Sequence, residues 1–142
     1  MSDDRTISGE FEALDEQRCK EFLGVAVIGR LAYQGPEHIE ILPVNYVYRD
    51  PHILLRTSPY GPLAALATGI DGVAFEVDHH DDVNRSGWSV VASGRIEAVE
   101  DTDELTRLWS QRGPSPWAAG TRTLFLRLTP TSITGRLVRK HP

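Results

Sequence analysis

The sequence is poor in cysteine, with Cys19 as the only one among its 142 residues. A single cysteine excludes an intramolecular disulfide bond, and it cannot build a zinc site from thiolates. Long apolar runs are also missing, because no stretch of about 18 consecutive apolar residues is present to cross a membrane as a helix. The acidic N-terminus lacks the basic start and apolar segment of a secretion signal. These absences predict a cytoplasmic protein that does not enter a membrane.

Positive charge is scarce as well. The 15 lysines and arginines are outnumbered by 20 acidic residues, which gives a formal net charge of −5 and a pI near 5.5. Proteins that bind nucleic acid or an anionic membrane present a basic surface, so neither partner is expected here. The length matches one domain, and 40% hydrophobic residues suffice for an ordinary core.

The catalytic patterns of common hydrolases are absent. There is no G-x-S-x-G elbow, and Cys19 lies on the apolar face of a predicted helix, which is typical of a buried residue. The acidic stretch around His79 and His80 resembles a metal site only in composition, because adjacent residues of a strand point to opposite faces. The sequence therefore predicts neither catalytic side chains nor a metal site.

Strand patterns dominate from residue 25 onward. One helix is predicted to begin after Asp15 and to end near Gly24, a short one to cover residues 60–68, and another to begin after Asp101. Segments rich in branched and aromatic residues predict strands at 25–33, 38–49, 52–58, 72–80, 88–100, 122–130 and 132–140. This pattern favours a mainly β fold, an antiparallel barrel with a few peripheral helices, formed by residues 14–142. Residues 1–13 are predicted to be a flexible arm.

Proline and glycine residues within these strands predict local irregularities of the sheet. Pro43 removes a backbone donor, so its strand should carry a bulge there or face an edge or a ligand. Gly94 indicates a bend or a close approach of another backbone segment. The last two strands are expected to separate at Thr129 and Pro130.

The stretch from Leu42 to Leu66 is the most informative part of the chain. Arg56, Thr57 and Ser58 end a predicted strand directly before the short helix, whose first backbone N–H groups lack helical partners. A guanidinium, two hydroxyls and those N–H groups would together stabilise a phosphate. Residues 43–45 lie one hairpin upstream, where their backbone groups would meet a planar ligand. We therefore predict a site for a phosphorylated cofactor.

Two tryptophans outside that stretch are further candidates. Trp88 stands beside Ser89 at the start of a long predicted strand, which combines an indole suited to covering an aromatic ring with a hydroxyl donor. A contact in the core or in a dimer is the alternative for Trp88. Trp117 lies in a proline-bearing loop, away from any periodic apolar face, and we expect it to reach a neighbouring subunit.

The order of these motifs resembles the pyridoxamine 5′-phosphate oxidase-like family of flavin-binding split barrels, in its small actinobacterial form. The matching segments lie between residues 14 and 138 and read VAVIGRLAY, PVNYVY, ILLRTS, VAFEVD, GWSVVASGRIEAVED, PWAAGTR and TLFLRLTPTSITGRLV. The resemblance implies a six-stranded Greek-key barrel that forms a homodimer, with two cofactor sites in clefts between the subunits. Members bind FMN, a deazaflavin coenzyme or haem, and some bind no cofactor.

The same resemblance assigns a set of residues to the cofactor site. They are Pro43, Val44, Asn45, Arg56, Thr57, Ser58, Trp88, Ser89, Trp117 and Arg122. Residues 56–58 would contact the phosphate, residues 43–45 the edge of the isoalloxazine ring, and residues 88–89 the ring region, while the last two would enter from the partner chain. Pro62 stands where relatives carry a lysine, so one phosphate cation is missing unless Arg30 or Arg122 replaces it.

The first functional hypothesis is an oxidoreductase that uses FMN or a deazaflavin to move a hydride to or from a small organic substrate in the dimer cleft. Such chemistry belongs to the cofactor ring, which agrees with the lack of a catalytic constellation. Two alternatives stay open: a non-enzymatic protein that stores or senses flavin or haem, with His79 or His80 as axial ligand, and a cofactor-free dimer. Oxidation of pyridoxamine phosphate itself is not expected, because no second cluster of cations is visible for a substrate phosphate.

Overall fold

The computed structural model describes residues 9–110 and 124–140, and most of its regular structure is strand. The seven strands are β1 Gly9–Ala13, β2 Ile28–Gln34, β3 Ile39–Arg49, β4 His52–Thr57, β5 Ile70–Asp81, β6 Ser86–Ala98 and β7 Leu124–Lys140. Helix α1 spans Glu16–Val25, a 3-10 helix spans Pro62–Thr68, and helix α2 spans Thr102–Ser110. Within the described residues no helix is long and apolar enough to cross a membrane.

Six of the strands close into a ring. Strands β7, β4, β3, β2, β5 and β6 pair in that order, always antiparallel, and β6 pairs again with β7. Strand β1 is the seventh and lies along the end of β7, where Phe11 faces Val138. The mainly β barrel predicted from the sequence is confirmed. The pairing of Gly9–Ala13 corrects the expectation of a flexible arm over residues 1–13, because this part of the arm is a strand of the sheet.

The C-terminal strand differs from its prediction. Residues 124–140 form one strand, not two that separate at Thr129 and Pro130. A register shift against β6, between Ser93 and Gly94, accommodates the proline within the ladder. Gly94 fits there only without a side chain, because a Cβ would collide with the carbonyl oxygen of Thr129 and lie 2.9 Å from the Cα of Pro130. The close backbone approach predicted at Gly94 is therefore confirmed.

The ring is filled by apolar side chains that alternate along its strands. Fully buried members include Leu31, Ile53, Phe75, Val77, Val90, Ala92, Ile96, Leu126 and Leu128. Helix α1, capped by a 2.8 Å hydrogen bond from the N–H of Arg18 to the carboxylate of Asp15, adds Cys19 and Leu23 to this core. Cys19 is thus a buried apolar residue, as predicted, and burial raises the pKa of its thiol.

A second, smaller apolar cluster, the outer cluster, lies on the other face of β4 and β7. Leu54 and Phe125 belong to it, and α2 covers them with Leu105 and Leu108. The carboxylate of Asp101 caps the start of α2 with a 3.0 Å hydrogen bond, as predicted. This cluster identifies the outer face of β4, on which the candidate site is built.

Tyr46 joins the barrel interior to α1. Its buried hydroxyl donates to the carbonyl oxygen of Leu23 at 2.6 Å, and desolvation raises the pKa of Tyr46 above the ordinary value of about 10. Tyr46→Phe should cost about 1–2 kcal/mol of unfolding free energy at neutral pH, because a buried acceptor loses its donor. Since the folded-state pKa is the higher one, this stabilisation is complete below about pH 10 and is lost as the pH rises further.

Urea denaturation of wild type and Tyr46→Phe at about pH 8 and about pH 11 measures both effects. The gap in unfolding free energy between the two proteins should be smaller at the higher pH, because only the unfolded wild-type chain ionises this tyrosine there. Equal unfolding free energies at the lower pH, or a difference that widens as the pH rises, would contradict a buried hydrogen bond from Tyr46.

Candidate functional site

The barrel wall splits between β3 and β4. Their ladder holds only four residue pairs and ends where Tyr46 faces Leu55. One position further, Asn45 stays in the ladder of β3 with β2, while Arg56 stays in the ladder of β4 with β7. Asn45 and Arg56 therefore stand on opposite sides of the split. Pro43 lies on a part of β3 that pairs with β2 alone among the described strands, so the edge predicted at this proline is confirmed.

Three of the predicted residues share the outer surface at the split. The guanidinium carbon of Arg56 lies 5.5 Å from the centre of the Phe125 ring, which belongs to the outer cluster. Val44 packs against the barrel core, so its neighbours Pro43 and Asn45 point to the outer side by strand alternation. The structure thus brings Pro43, Asn45 and Arg56 to one surface, whereas Val44 offers this surface only its backbone.

The turn after β4 differs from its prediction in the use of its N–H groups. The hydroxyl oxygen of Ser58 accepts the N–H of Tyr60 at 3.1 Å, and the Ser58 carbonyl oxygen accepts the N–H of Gly61 at 3.2 Å. Pro62 then begins the 3-10 helix without an N–H. The expectation of free N–H groups at a helix start is therefore wrong for Tyr60, Gly61 and Pro62. Thr57 and Ser58 are half-buried at this turn, and the Ser58 hydroxyl keeps its proton to donate.

Arg30 is held in an ion-pair network beside the split. Its guanidinium donates to Glu76 at 2.6 and 2.9 Å and to Asp78 at 2.7 Å. Burial raises the pKa of Glu76 despite this pairing. Arg30 faces Pro43 across the β2–β3 ladder, so the network borders the candidate site. Two carboxylates already occupy its guanidinium, so Arg30 is not placed to supply the cation that the family resemblance expects at position 62.

Trp88 and Ser89 lie on a different part of the wall. Strands β3, β2 and β5 separate β4 from β6, which places Ser89 four strand spacings from Arg56, or about 19 Å along the wall. Along β7 the separation is larger still, because Arg56 faces Phe125 whereas Ser89 faces Arg136. A single chain therefore does not bring Trp88 or Ser89 to Arg56.

The Trp88 indole has a packing role within the chain. It stacks on Phe22 of α1, with ring centres 4.2 Å apart and planes inclined by 20°, and it packs against the barrel core. The His79 ring lies 6.4 Å from the indole, centre to centre, and both His79 and His80 are exposed. No group of three or more metal-ligating side chains occurs in the part of the chain that the structure describes.

Trp117 and Arg122, the two residues expected to enter from a partner chain, lie outside the described residues. Their assignment stays a prediction.

A cavity of about 450 Å³ lies at the end of the β5–β6 hairpin. The sequence drew attention to His79, His80 and Ser89 in its lining but did not predict that they share a cavity. We call it the hairpin trough. Gly87 and Ser89 of β6 lie in its centre, with His80 of β5 on one side and Arg136 and Val138 of β7 on the other. Arg136 and Val138 lie about fifty positions from Ser89 and Gly87 along the chain, so only the strand register brings these two pairs together.

Comparison with known proteins agrees with this architecture. A family model described as pyridoxamine 5′-phosphate oxidase matches residues 15–137. The fold is similar to that of an FAD-binding protein of Mycobacterium smegmatis, with a TM-score of 0.74 and 31% identity, covering 89% of this chain and 98% of that one.

Two further relatives span nearly the whole chain. One is a candidate pyridoxamine 5′-phosphate oxidase of Corynebacterium glutamicum, with a TM-score of 0.77 and 28% identity, covering 90% of this chain and 98% of that one. The other is the uncharacterised protein Rv0080 of Mycobacterium tuberculosis, 28% identical over 130 residues that cover 89% of this chain and 84% of the relative.

Proposed function

The chain belongs to the pyridoxamine 5′-phosphate oxidase family, and on that basis we propose that it is a flavin-dependent oxidoreductase with its coenzyme at the β3–β4 split. The observation that carries the proposal is the position of Arg56, which shares the outer surface of the split with Pro43 and Asn45. The Mycobacterium smegmatis relative, described as binding FAD, supports a flavin as the ligand.

The residues at the split fit the two ends of such a coenzyme. The guanidinium of Arg56 has the fork geometry that binds phosphate oxygens in pairs, and the hydroxyl of Ser58 adds a neutral donor. Thr57 pairs with Leu124, which packs against the barrel core, so by strand alternation its side chain faces away from Arg56. Residues 43–45 offer a proline surface, an amide side chain and backbone groups to the edge of a planar ring. Pro62 in place of a lysine removes one charge-assisted contact, which weakens binding by about one to two decades without closing the site.

A bound flavin supplies hydride transfer itself, so the residues of this chain need only bind, orient and shield it. Asn45 is placed to hydrogen-bond the ring edge, and Pro43 excludes water from the surface next to it. FMN is the proposed coenzyme, with a deazaflavin as the alternative. The proposed substrate is a small organic molecule.

A second copy of the chain would complete the proposed site, since Trp88 and Ser89 cannot reach Arg56 within one chain. Ile39 and Ile41 are 65% and 63% exposed and share the outer face of β3 with Pro43 by strand alternation. A large exposed apolar patch of this kind is typical of a protein interface. We therefore propose a homodimer that packs through this patch, with Trp117 and Arg122 entering the partner's site.

Ile41→Asp is expected to convert the proposed dimer into a monomer, because each interface would then bury two unpaired carboxylates. Sedimentation velocity at about 10 μM measures the change. Val83→Asp is the matched control, since Val83 is 89% exposed in the β5–β6 turn, away from the patch, and this variant should stay dimeric. An Ile41→Asp protein that remains a dimer would exclude the patch as the interface.

Titration of the purified protein with FMN, FAD and the deazaflavin coenzyme tests the proposed function. At least one of the three should bind with a Kd in the micromolar range or below, with a change in its visible absorption. A protein that binds none of them at micromolar concentration refutes the proposal, and a Soret band in the purified protein would assign it to haem instead.

A further inference from the structure

The hairpin trough has the shape of a ligand site. On this face of the sheet His80, Gly87 and Val138 lie side by side in one row, and Asp78, Ser89 and Arg136 lie in the next. The central strand, β6, contributes only Gly87 and Ser89, whose side chains are absent or small. The larger side chains of β5 and β7 therefore form the two walls of the trough. At about 450 Å³ the trough falls in the size range of small-molecule sites.

The shape of the trough is fixed by its surroundings. A Cβ on Gly87 would lie 2.8 Å from the carbonyl oxygen of His79 and 2.9 Å from the Cβ of His80, so a glycine is required there. The adjacent turn is closed by Asp81, whose carboxylate accepts the N–H groups of Val83 and Asn84 at 3.0 and 3.2 Å. The trough is therefore preorganised, which lowers the entropy cost of binding.

The acidic residues at the trough are already engaged. Asp78 accepts a 2.7 Å hydrogen bond from Arg30, and Asp81 is occupied by the turn that it closes. Asp82 is highly exposed and lies 3.6 Å from the His80 ring. Their negative charge is thus partly balanced or turned toward solvent, and it does not dominate the centre of the trough.

Arg136 provides a positioned cation beside Ser89. Its guanidinium carbon lies 4.9 Å from the centre of the Phe11 ring on β1, an arrangement that holds the guanidinium by a cation–π contact. Among the described residues no carboxylate is ion-paired with it. Val138, which lies beside Gly87 on the same face, adds apolar surface to this space. A cation, a hydroxyl and an apolar wall together suit a small organic anion that has an apolar body.

We propose that the hairpin trough binds a small aromatic or aliphatic carboxylate, with the carboxylate on Arg136 and Ser89 and the apolar body against Val138. Binding itself does not depend on a flavin.

Titration with benzoate, followed by the backbone N–H resonances of Gly87 and Ser89 in ¹⁵N-labelled protein, tests the proposal. Benzoate should bind with a Kd below about 1 mM and shift the Gly87 and Ser89 resonances, and benzyl alcohol, its neutral counterpart, should bind at least tenfold more weakly. Arg136→Gln should weaken benzoate binding by roughly 10- to 100-fold, because a charge-assisted pair is lost. Arg139→Gln is the matched control, since Arg139 lies on the same strand but pairs with Glu12 at 2.9 Å. This variant should bind benzoate with the wild-type Kd.

Ser89→Leu, which fills the trough and leaves Arg136 in place, should also abolish binding, and the dispersion of the NMR spectrum shows whether each variant is folded. Benzoate that does not bind wild type up to about 20 mM, binds no better than benzyl alcohol, or binds Arg136→Gln equally well overturns the proposal. The flavin titration separates the two claims, because benzoate binding by a protein that takes no flavin would refute the proposed function and keep the trough as an anion site.

Discussion

Gly94→Ala is expected to destabilise the fold by about 3 kcal/mol or more, which corresponds to a fall in Tm of roughly 10 °C for a domain of this size. The added methyl group would collide with the Thr129 carbonyl oxygen and approach the Cα of Pro130. Both neighbours are backbone atoms of β7, so no rotamer change relieves the contact. Thermal unfolding followed by circular dichroism measures the effect.

Gly24→Ala is the control for that variant. Gly24 lies in α1, and a Cβ there meets nothing within 4 Å, so alanine should stabilise the protein by up to about 1 kcal/mol through helix propensity. The two identical substitutions are thus expected to act in opposite directions. A Gly94→Ala protein as stable as wild type would contradict the close pairing of β6 and β7 at Gly94.

Arg56→Ala is expected to weaken flavin binding by about 10- to 100-fold, because the proposed phosphate contact is charge-assisted. Arg56→Lys should recover part of the loss, since a lysine keeps the charge but not the fork geometry. Quenching of flavin fluorescence in a titration gives the Kd of each protein.

Arg139→Gln serves as the control for charge alone, because it removes one exposed arginine from the β1–β7 end of the sheet. Its flavin Kd should equal that of wild type. An Arg56→Ala protein that is folded and binds flavin as tightly as wild type would place the phosphate elsewhere.

Local patterns in the sequence were sufficient for much of the fold. Alternation of branched and aromatic residues predicted the strands, and Asp15 and Asp101 predicted the helix starts that their carboxylates do cap. Gly94 predicted a close approach because only glycine tolerates backbone at that distance. These features depend on neighbours in sequence or on one residue type, so the sequence alone is enough to predict them.

The sequence alone does not predict features that depend on pairing between distant segments of the chain. Residues 9–13 have no strand pattern of their own and become β1 only because the end of β7 offers them a partner. Pro130 looks like a break in the sequence, yet a register shift in β6 lets β7 continue through it. The trough arises in the same way, since Phe11, Ser89 and Arg136 meet only through the register of three strands.

The candidate site was predicted in part. Residues 43–45 and 56–58 were placed near one another from a single hairpin, and the structure sets Pro43, Asn45 and Arg56 on one surface. The capture of two N–H groups by Ser58 was not foreseen, because a serine followed by proline fits both an anion site and a self-closed turn. The site therefore depends on Arg56 more strongly than the sequence suggested.

The most direct test of the proposed flavin site compares FMN with riboflavin, which lacks the phosphate, in wild type and in Arg56→Ala. Wild type should bind FMN at least tenfold more tightly than riboflavin, and this preference should nearly vanish in the variant while riboflavin affinity stays the same. An equal preference for FMN in both proteins, or no binding of either compound to wild type, would contradict a flavin phosphate held by Arg56 at the split.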